Sequence, residues 1–261
     1  MLSAKPSLAH ACRFFVPRLA IAPWTRLIAV CVAASLAGCA HHAPPASAQL
    51  PSDTRVWTAQ HIASWQQVNL PGKNPTAYGL QQRDGRSAVY AKAESAVSML
   101  RQPLRVEPQN LGVVEFAWQV PALLDGADVG QRHSDDSPAR LVLAFDGDRS
   151  TFSAKNAMLS ELSHAITGEP LPYATLMYIW CNTRPVGTVV HNPRTDRIRK
   201  LVVASGPQQL NQWLHFRRDV RADFELAFGE PPGALLGIAV MTDSDNTRST
   251  AQAWYGDIAL R

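Results

Sequence analysis

The sequence predicts a mainly β protein: an antiparallel β-sandwich, jelly-roll-like, with one or two short helices. Many short apolar segments are separated by turn residues, and only two stretches have clear helical spacing. Residues 113–120 alternate between apolar and polar side chains. Such alternation indicates a sheet with one partly wet face, which is unusual in a parallel α/β sheet. An α+β fold with a single open sheet is the alternative.

The first segment is predicted to be a signal for export. Arg26 precedes an apolar run over residues 27–36, which is too short to span a bilayer but fits the core of a signal peptide. The run leads into Leu-Ala-Gly-Cys at Leu36–Cys39, which resembles the bacterial lipobox, where a dedicated peptidase cuts before the cysteine and the thiol receives diacylglycerol. An ordinary cleavable signal with a chance Gly-Cys is the alternative.

These observations divide the chain into three parts. Residues 1–38 are predicted to be a lipoprotein signal peptide, residues 39–56 the lipidated Cys39 with a flexible tether, and residues 57–261 a single sandwich domain. Ala40 follows the cysteine where the inner-membrane retention signal has aspartate, so we expect a lipid anchor in the outer membrane. The domain would then face the periplasm or the cell surface.

The charge distribution argues against a nucleic-acid partner. The chain has 25 lysine and arginine residues against 21 aspartate and glutamate residues. Four of the basic residues and none of the acidic ones lie in residues 1–38, which leaves 21 of each sign in the remainder. A formally neutral domain lacks the basic surface on which nucleic-acid binding depends.

The first half of the domain contains a short helix and four predicted strands. Residues 57–68 are expected to begin as the helix and continue into the first strand, and the cluster Leu-Pro-Gly-Lys-Asn-Pro after it indicates a turn. We predict a second strand over residues 87–99, irregular near Glu94 and Ser95. A third covers residues 113–120, and a fourth covers residues 140–145 after a polar loop over 126–138.

The second half contains both clear helices. Met158, Leu159, Leu162, Ala165 and Ile166 recur at helical spacing in residues 155–166, and Gly168 with Pro170 ends the pattern. A shorter helix is predicted over residues 220–228. Strands are predicted over the ranges 176–180, 201–204, 213–220 and 235–241, with a basic loop over 194–200. After an acidic loop, Trp254–Ile258 is expected to close a C-terminal hairpin.

Two arginines share a face of their predicted strands with apolar residues, so their charged side chains are predicted to be buried. Arg140 alternates with Val142 and Ala144, and Arg218 with Phe216 and Leu214. A guanidinium turned toward a core needs an acidic partner, because an unpaired buried charge costs several kcal/mol. The available partners are Glu94, Asp135, Asp136, Asp243 and Asp245. One interpretation is a structural ion network that holds loops to the sandwich.

The other interpretation is a polar cleft that recognises a sugar. Carboxylates and amides bind hydroxyl pairs, and an aromatic face binds the apolar side of a sugar ring, here Trp118, Trp180 or Tyr255. The candidate ligand-binding residues are Glu94, Trp118, Asp135, Asp136, Arg140, Trp180, Arg218, Asp243, Asp245, Asn246, Tyr255 and Asp257.

The acidic loop also has the oxygen ligands that Ca²⁺ prefers. Asp243 and Asp245 are the candidate metal ligands, and Asp257, backbone carbonyls or water would have to complete the shell. Asp136 with Asp243 could alternatively serve as the carboxylate pair of a glycan hydrolase. The sequence contains no Gly-x-Ser-x-Gly, His-Glu-x-x-His, phosphate-loop or Cys-x-x-Cys signature.

Several separated motifs, in order, resemble those of domain-of-unknown-function family 3047 from about Trp65 onward. They are Leu70-Pro-Gly-Lys with Thr76 and Tyr78, Glu94-Ser95, Trp118, Asp135-Asp136-Ser-Pro-Ala-Arg140, Arg218-Asp219-Val220 with Asp223, Phe228-Gly-Glu-Pro-Pro, Met241–Thr247, and Tyr255-Gly-Asp257-Ile258. The resemblance implies an exported bacterial protein and adds no mechanism.

Taken together, the sequence predicts an envelope lipoprotein whose sandwich is a non-catalytic module for a carbohydrate or similar polar ligand. A glycan-active hydrolase that uses loop carboxylates and a structural envelope protein without a small ligand are the alternatives.

Overall fold

Two β-sheets that face each other make up the part of the chain that the computed structural model describes, residues 54–261. The predicted signal peptide, Cys39 and almost all of the tether lie outside these residues. In chain order the strands of the described part are β1 (Arg55–Trp57), β2 (Gln66–Asn69), β3 (Ala77–Arg83), β4 (Arg86–Glu94), β5 (Val97–Val106), β6 (Val113–Gln119), β7 (Ser137–Phe145), β8 (Ala174–Cys181), β9 (Val189–His191), β10 (Ile198–Ser205), β11 (Leu214–Asp219), β12 (Leu235–Asp243) and β13 (Thr250–Leu260). The helices are α1 (Ala59–Ala63), α2 (Ala154–Thr167) and α3 (Val220–Phe228).

The strand order confirms the predicted β-sandwich. Sheet A has the order β11-β6-β13-β4-β3, with β1 also paired to β13, and sheet B has the order β2-β5-β12-β7-β8-β10-β9. Neighbouring strands are antiparallel except for β8 and β10, which run parallel. The alternative of a single open sheet is therefore wrong.

The main core lies between the two sheets. Phe116 of β6 and Tyr178 of β8 stack across it with ring centroids 5.6 Å apart, and Trp118 is fully buried beside them. This is the apolar face that the alternation of residues 113–120 predicted. Because successive side chains of a strand point to opposite faces, the residues on either side of Tyr178 point away from sheet A.

Two predicted connections are wrong, because the chain changes sheets where the sequence suggested continuous pairing. The strand predicted over residues 87–99 is two strands, β4 in sheet A and β5 in sheet B, separated at Ser95, whose φ is 48°. The predicted C-terminal hairpin is likewise an arch, since β12 lies in sheet B and β13 in sheet A. The two crossings lie side by side: the Ser95 N–H donates to the Ser249 carbonyl, and the Ser244 N–H donates to the Ala96 carbonyl.

Helix α2 forms as predicted but buries a different face. Met158, Leu162 and Ile166 are exposed, whereas Asn156 and Ser160 are buried. The Asn156 amide donates to Asp196, and the Arg149 guanidinium donates to the Ser160 hydroxyl at 3.2 Å. Polar contacts therefore attach this helix to the sandwich, so its apolar spacing did not identify the packed side. Within residues 54–261, no helix combines the length and hydropathy needed to cross a membrane.

Candidate functional site

The side of sheet B that faces away from sheet A forms a cavity of about 530 Å³, here called the outer groove. Its floor comes from alternate residues of adjacent strands, and loop residues such as Leu70 and Leu171 form its walls. The apolar floor residues are Val97, Met99, Val142, Ala144, Met177, Ala239 and Met241. No aromatic side chain lines the groove within the described part of the chain.

One end of the groove is closed by a buried ion cluster, defined as Asp135, Arg140, Lys200 and Asp243. The Arg140 guanidinium contacts Asp243 at 2.9 Å and Asp135 at 3.2 Å, and its own side chain is only 3 % exposed. The Lys200 ammonium donates to Asp135 and to the Val129 carbonyl, at 2.5 and 2.6 Å. The predicted burial of the Arg140 side chain is thus correct, and its partners are two of the expected carboxylates.

Two acidic residues outside the cluster organise the loop after β12. Asp136 accepts hydrogen bonds from the backbone N–H groups of Asn246 and Thr247, at 3.2 and 2.6 Å, and from both of their side chains. Asp245 forms an ion pair with Lys73 from the turn after β2. The loop therefore folds around Asp136, which fixes the polar end of the groove.

Burial shifts the ionisation of two members of the cluster. Burial raises the pKa of the Asp243 carboxyl to about 7, and the neighbouring Asp136 and Asp135 add to the rise while Arg140 opposes it. Burial also lowers the pKa of the Lys200 ammonium to about 8, and Arg140 acts in the same direction. The cluster therefore holds groups that change charge close to neutral pH.

The aromatic residues predicted as a stacking floor lie elsewhere. Trp118 and Trp180 are fully buried in the core, and the Trp180 indole N–H donates to the Gly206 carbonyl. Tyr255 is 2 % exposed, and its hydroxyl donates to the Met241 carbonyl at 2.6 Å beneath the groove. A sugar ring cannot reach any of these faces, so the predicted stacking floor is wrong for these three residues.

Three further candidates have partners outside the acidic loop. Arg218 pairs with Asp223, the first-turn acid of α3, and not with any of the partners expected from the sequence. Glu94 is at the surface in an ion pair with Lys92 at 2.7 Å. Asp257 accepts the backbone N–H of Ala59 at 2.8 Å. The structure thus brings together Asp135, Asp136, Arg140, Asp243, Asp245 and Asn246 of the predicted set.

Sequence reasoning missed several residues of this region. Lys200 was assigned to a basic loop, but β10 begins at Ile198 and carries Lys200 into the interior with no exposed surface. Lys73 was seen only as part of a turn. The sequence does show that Val142 and Ala144 of the groove floor alternate with core residues and therefore point to the other face of their strand. It does not show whether that second face is covered by another part of the chain.

The predicted metal ligands do lie in a carboxylate cluster. Asp136, Asp243 and Asp245 each present an oxygen within 4.8 Å of the others. Each already has protein partners, because Asp243 accepts the Ser137 N–H at 2.7 Å beside Arg140, and Asp245 pairs with Lys73. Asp257 is not part of this group, so it does not supply the further calcium ligand considered above.

A second depression of about 860 Å³ lies on sheet A. It is lined by charged side chains that pair with each other: Glu115 binds Arg217 at 3.3 Å and Arg261 at 2.9 Å. Asp257 lies at its edge beside α1. The outer groove differs from it in having an uncovered apolar floor beside a single polar end.

Comparison with solved structures finds sandwiches associated with carbohydrates, at low identity. A glycoside hydrolase domain from Streptococcus pneumoniae R6 has a TM-score of 0.32 and 7 % identity over 75 % of this chain and 21 % of that one. A low-affinity xylan-binding module from Roseburia intestinalis has a TM-score of 0.28 and 12 % identity over 80 % and 94 %. A cellulase derived from that of Rhodothermus marinus has a TM-score of 0.38 and 12 % identity over 80 % and 99 %. The likeness concerns the fold alone.

Sequence comparison identifies the family. None of the curated proteins compared with the chain matches it. Residues 63–259 match the model of DUF3047, whose description is "Protein of unknown function", and this range covers more than half of the sequence. The chain therefore belongs to the DUF3047 family.

Proposed function

We propose that the protein is a non-catalytic ligand-binding module whose binding site is the outer groove. The observation that carries the proposal is a cavity of about 530 Å³ with an apolar floor and polar groups at one end. Binding sites for small molecules are typically clefts of roughly 300–1,000 Å³, mostly apolar, with a few polar groups that orient the ligand. The polar part of the ligand would contact Asp245, Asn246 and Lys73 at that end.

The contacts that the carboxylates of the groove already make within the protein support a binding role over a catalytic one. A catalytic acid or base must be able to exchange its proton with a ligand. Asp243 is held by Arg140 and the Ser137 N–H, and Asp136 is held by the loop that it organises. These side chains stabilise the polar end of the groove.

A glycan hydrolase is the second candidate, and the raised pKa of Asp243 favours it, because a general acid needs its proton near neutral pH. Against it, Asp136 and Asp243 are only 1 % and 3 % exposed, whereas a general acid or base has to contact its substrate. Release of reducing ends from a glycan panel, lost in Asp243→Asn, would favour the hydrolase and contradict the binding module.

Thermal melting with candidate ligands tests the binding site, because a ligand that binds only the native state raises Tm. The panel comprises xylo- and manno-oligosaccharides, lipids and calcium. Leucine at Ala144 would project into the groove and narrow it, and Ala165→Leu is the matched control because Ala165 is exposed on α2, outside the groove.

We expect a groove ligand to raise the Tm of the wild type and of Ala165→Leu, and to have little effect on Ala144→Leu. A ligand-induced rise that Ala144→Leu leaves intact would contradict the assignment of the site. Calcium remains a proposal for the carboxylates of Asp136, Asp243 and Asp245. A rise in Tm with calcium that is lost in Asp245→Ala would support it.

We also propose that the module is anchored to the outer membrane through Cys39. The support is the lipobox-like Leu36–Cys39 after an apolar run. We expect membrane fractionation to find the wild type with the outer membrane and a Cys39→Ser variant outside the outer-membrane fraction. A Cys39→Ser protein that remained in the outer membrane to the same extent would contradict the anchor.

A further inference from the structure

We infer that the ligand of the outer groove carries an aliphatic chain with an anionic head group, as a fatty acid does. This inference rests on the proposed function of the groove, and it names the class of molecule that the groove selects. Three features of the groove support it: the shape of the apolar floor, the groups that the floor lacks, and the charge at its rim.

The floor is a continuous apolar strip across four strands. The strand register places Met99 of β5 beside Met241 of β12, and Ala239 of β12 beside Val142 of β7. Val142 in turn lies beside Met177 of β8. With neighbouring strands about 4.8 Å apart, the three steps from β5 to β8 give a strip roughly 14 Å long. An extended chain can lie along such a strip.

The floor lacks the groups that bind a sugar. Its valine, alanine and methionine side chains offer no strong hydrogen-bond donor or acceptor, and no ring lines the groove in the described part of the chain. A sugar placed there would lose hydrogen bonds to water without replacement, which is unfavourable. An alkyl chain would instead bury apolar surface against the floor. Methionine side chains also adapt their shape to chains of different form.

The rim adds positive charge that is not fully paired. Lys73 and Arg101 line the groove in ion pairs with Asp245 and Glu169, respectively. Arg194 also lines it and is exposed, and its guanidinium donates to the Arg132 carbonyl at 3.3 Å. None of the ion pairs found in residues 54–261 includes Arg194. A carboxylate or phosphate head at this rim would form the charge-assisted bond that Arg194 lacks.

A set of probes with one chain and three heads tests the inference. Binding of dodecanoate, dodecanol and dodecylammonium to the full-length protein is measured by titration calorimetry in detergent-free buffer, below the concentration at which each probe aggregates. We expect dodecanoate to bind at least about tenfold more tightly than dodecylammonium. Arg194→Gln should remove this preference while dodecanol binding stays unchanged.

The chain contact is tested by a matched pair of methionine substitutions. Met177 lies in the floor, whereas Met158 is 62 % exposed on α2 and does not line the groove. We expect Met177→Gln to weaken binding of all three probes and Met158→Gln to leave it unchanged. Equal effects of the two substitutions would overturn the inference, as would tighter binding of dodecylammonium than of dodecanoate.

The two proposals fail in different ways. If the oligosaccharides bind, Ala144→Leu blocks them and none of the three probes binds, the groove remains the site and the aliphatic ligand is overturned. If a probe binds but Ala144→Leu and Met177→Gln have no effect on it, both proposals are overturned. Tight binding of dodecanoate that both substitutions weaken would support both.

Discussion

Replacing Arg140 with methionine should lower the free energy of unfolding by about 3–5 kcal/mol above pH 7, where Asp243 has released its proton, because the change leaves two buried carboxylates without their shared cation. Asp135 and Asp243 each have side chains that are 5 % exposed, so water cannot take the place of the guanidinium. Lys200 still pairs with Asp135, so Asp243 bears most of the loss. Urea unfolding followed by tryptophan fluorescence measures the change.

Arg101→Met provides the matched control. Arg101 also lines the outer groove, but its partner Glu169 is 61 % exposed, and such surface pairs contribute about 0–1 kcal/mol. We therefore expect the Arg101 variant to unfold close to the wild type. Equal losses in the two variants would contradict a buried ion cluster at Arg140.

The stability of the wild type should fall as the pH rises from about 4 to about 7. The folded-state pKa of Asp243 is raised from 3.8 to about 7, so in this window the native state holds a proton that the unfolded chain has released. Because the unfolded state then binds fewer protons, a rise in pH favours unfolding, by at most about 1.4 kcal/mol per pH unit.

The comparison with Asp243→Asn isolates this effect. Asparagine resembles the protonated acid in shape and cannot titrate, so the difference between the two unfolding free energies should change across this pH window and level off above about pH 7. The other acids contribute equally to the pH dependence of both proteins, so their contributions cancel in the difference between the two unfolding free energies. Parallel curves for wild type and variant between pH 4 and 7 would show that Asp243 does not hold its proton in the folded protein.

Local pattern was sufficient to predict the direction of many side chains. The alternation at residues 113–120 identified the buried face of β6, and the phase of Arg140 predicted an ion pair with Asp135 and Asp243. Both depend on the two-residue period of a strand, which the sequence determines directly. Arg218 was also predicted to share a face with apolar residues, but its partner Asp223 lies in the next helix and is not one of the expected acids.

What the sequence did not reveal depends on long-range pairing. A two-residue break at Ser95 and Ala96 sends the chain from one sheet to the other, and the alternation before and after it looks like that of one strand. Likewise, the partners of buried Lys200 are Asp135 and the Val129 carbonyl, which lie in the loop before β7 and are remote from Lys200 in sequence. The outer groove was missed because the alternation of residues predicts the side of the sheet to which Met177 points, but does not predict whether another part of the chain covers that side.

The place of β13 in sheet A has a consequence for how the protein is made. This strand lies between β6 and β4 and also pairs with β1, yet it follows every other strand of the described part in the chain. Until residues 250–260 have left the ribosome, sheet A can exist only as separate strand pairs, which are marginally stable in water. The sandwich therefore cannot close progressively during synthesis, and a growing chain exposes unpaired strand edges until β13 joins the sheet.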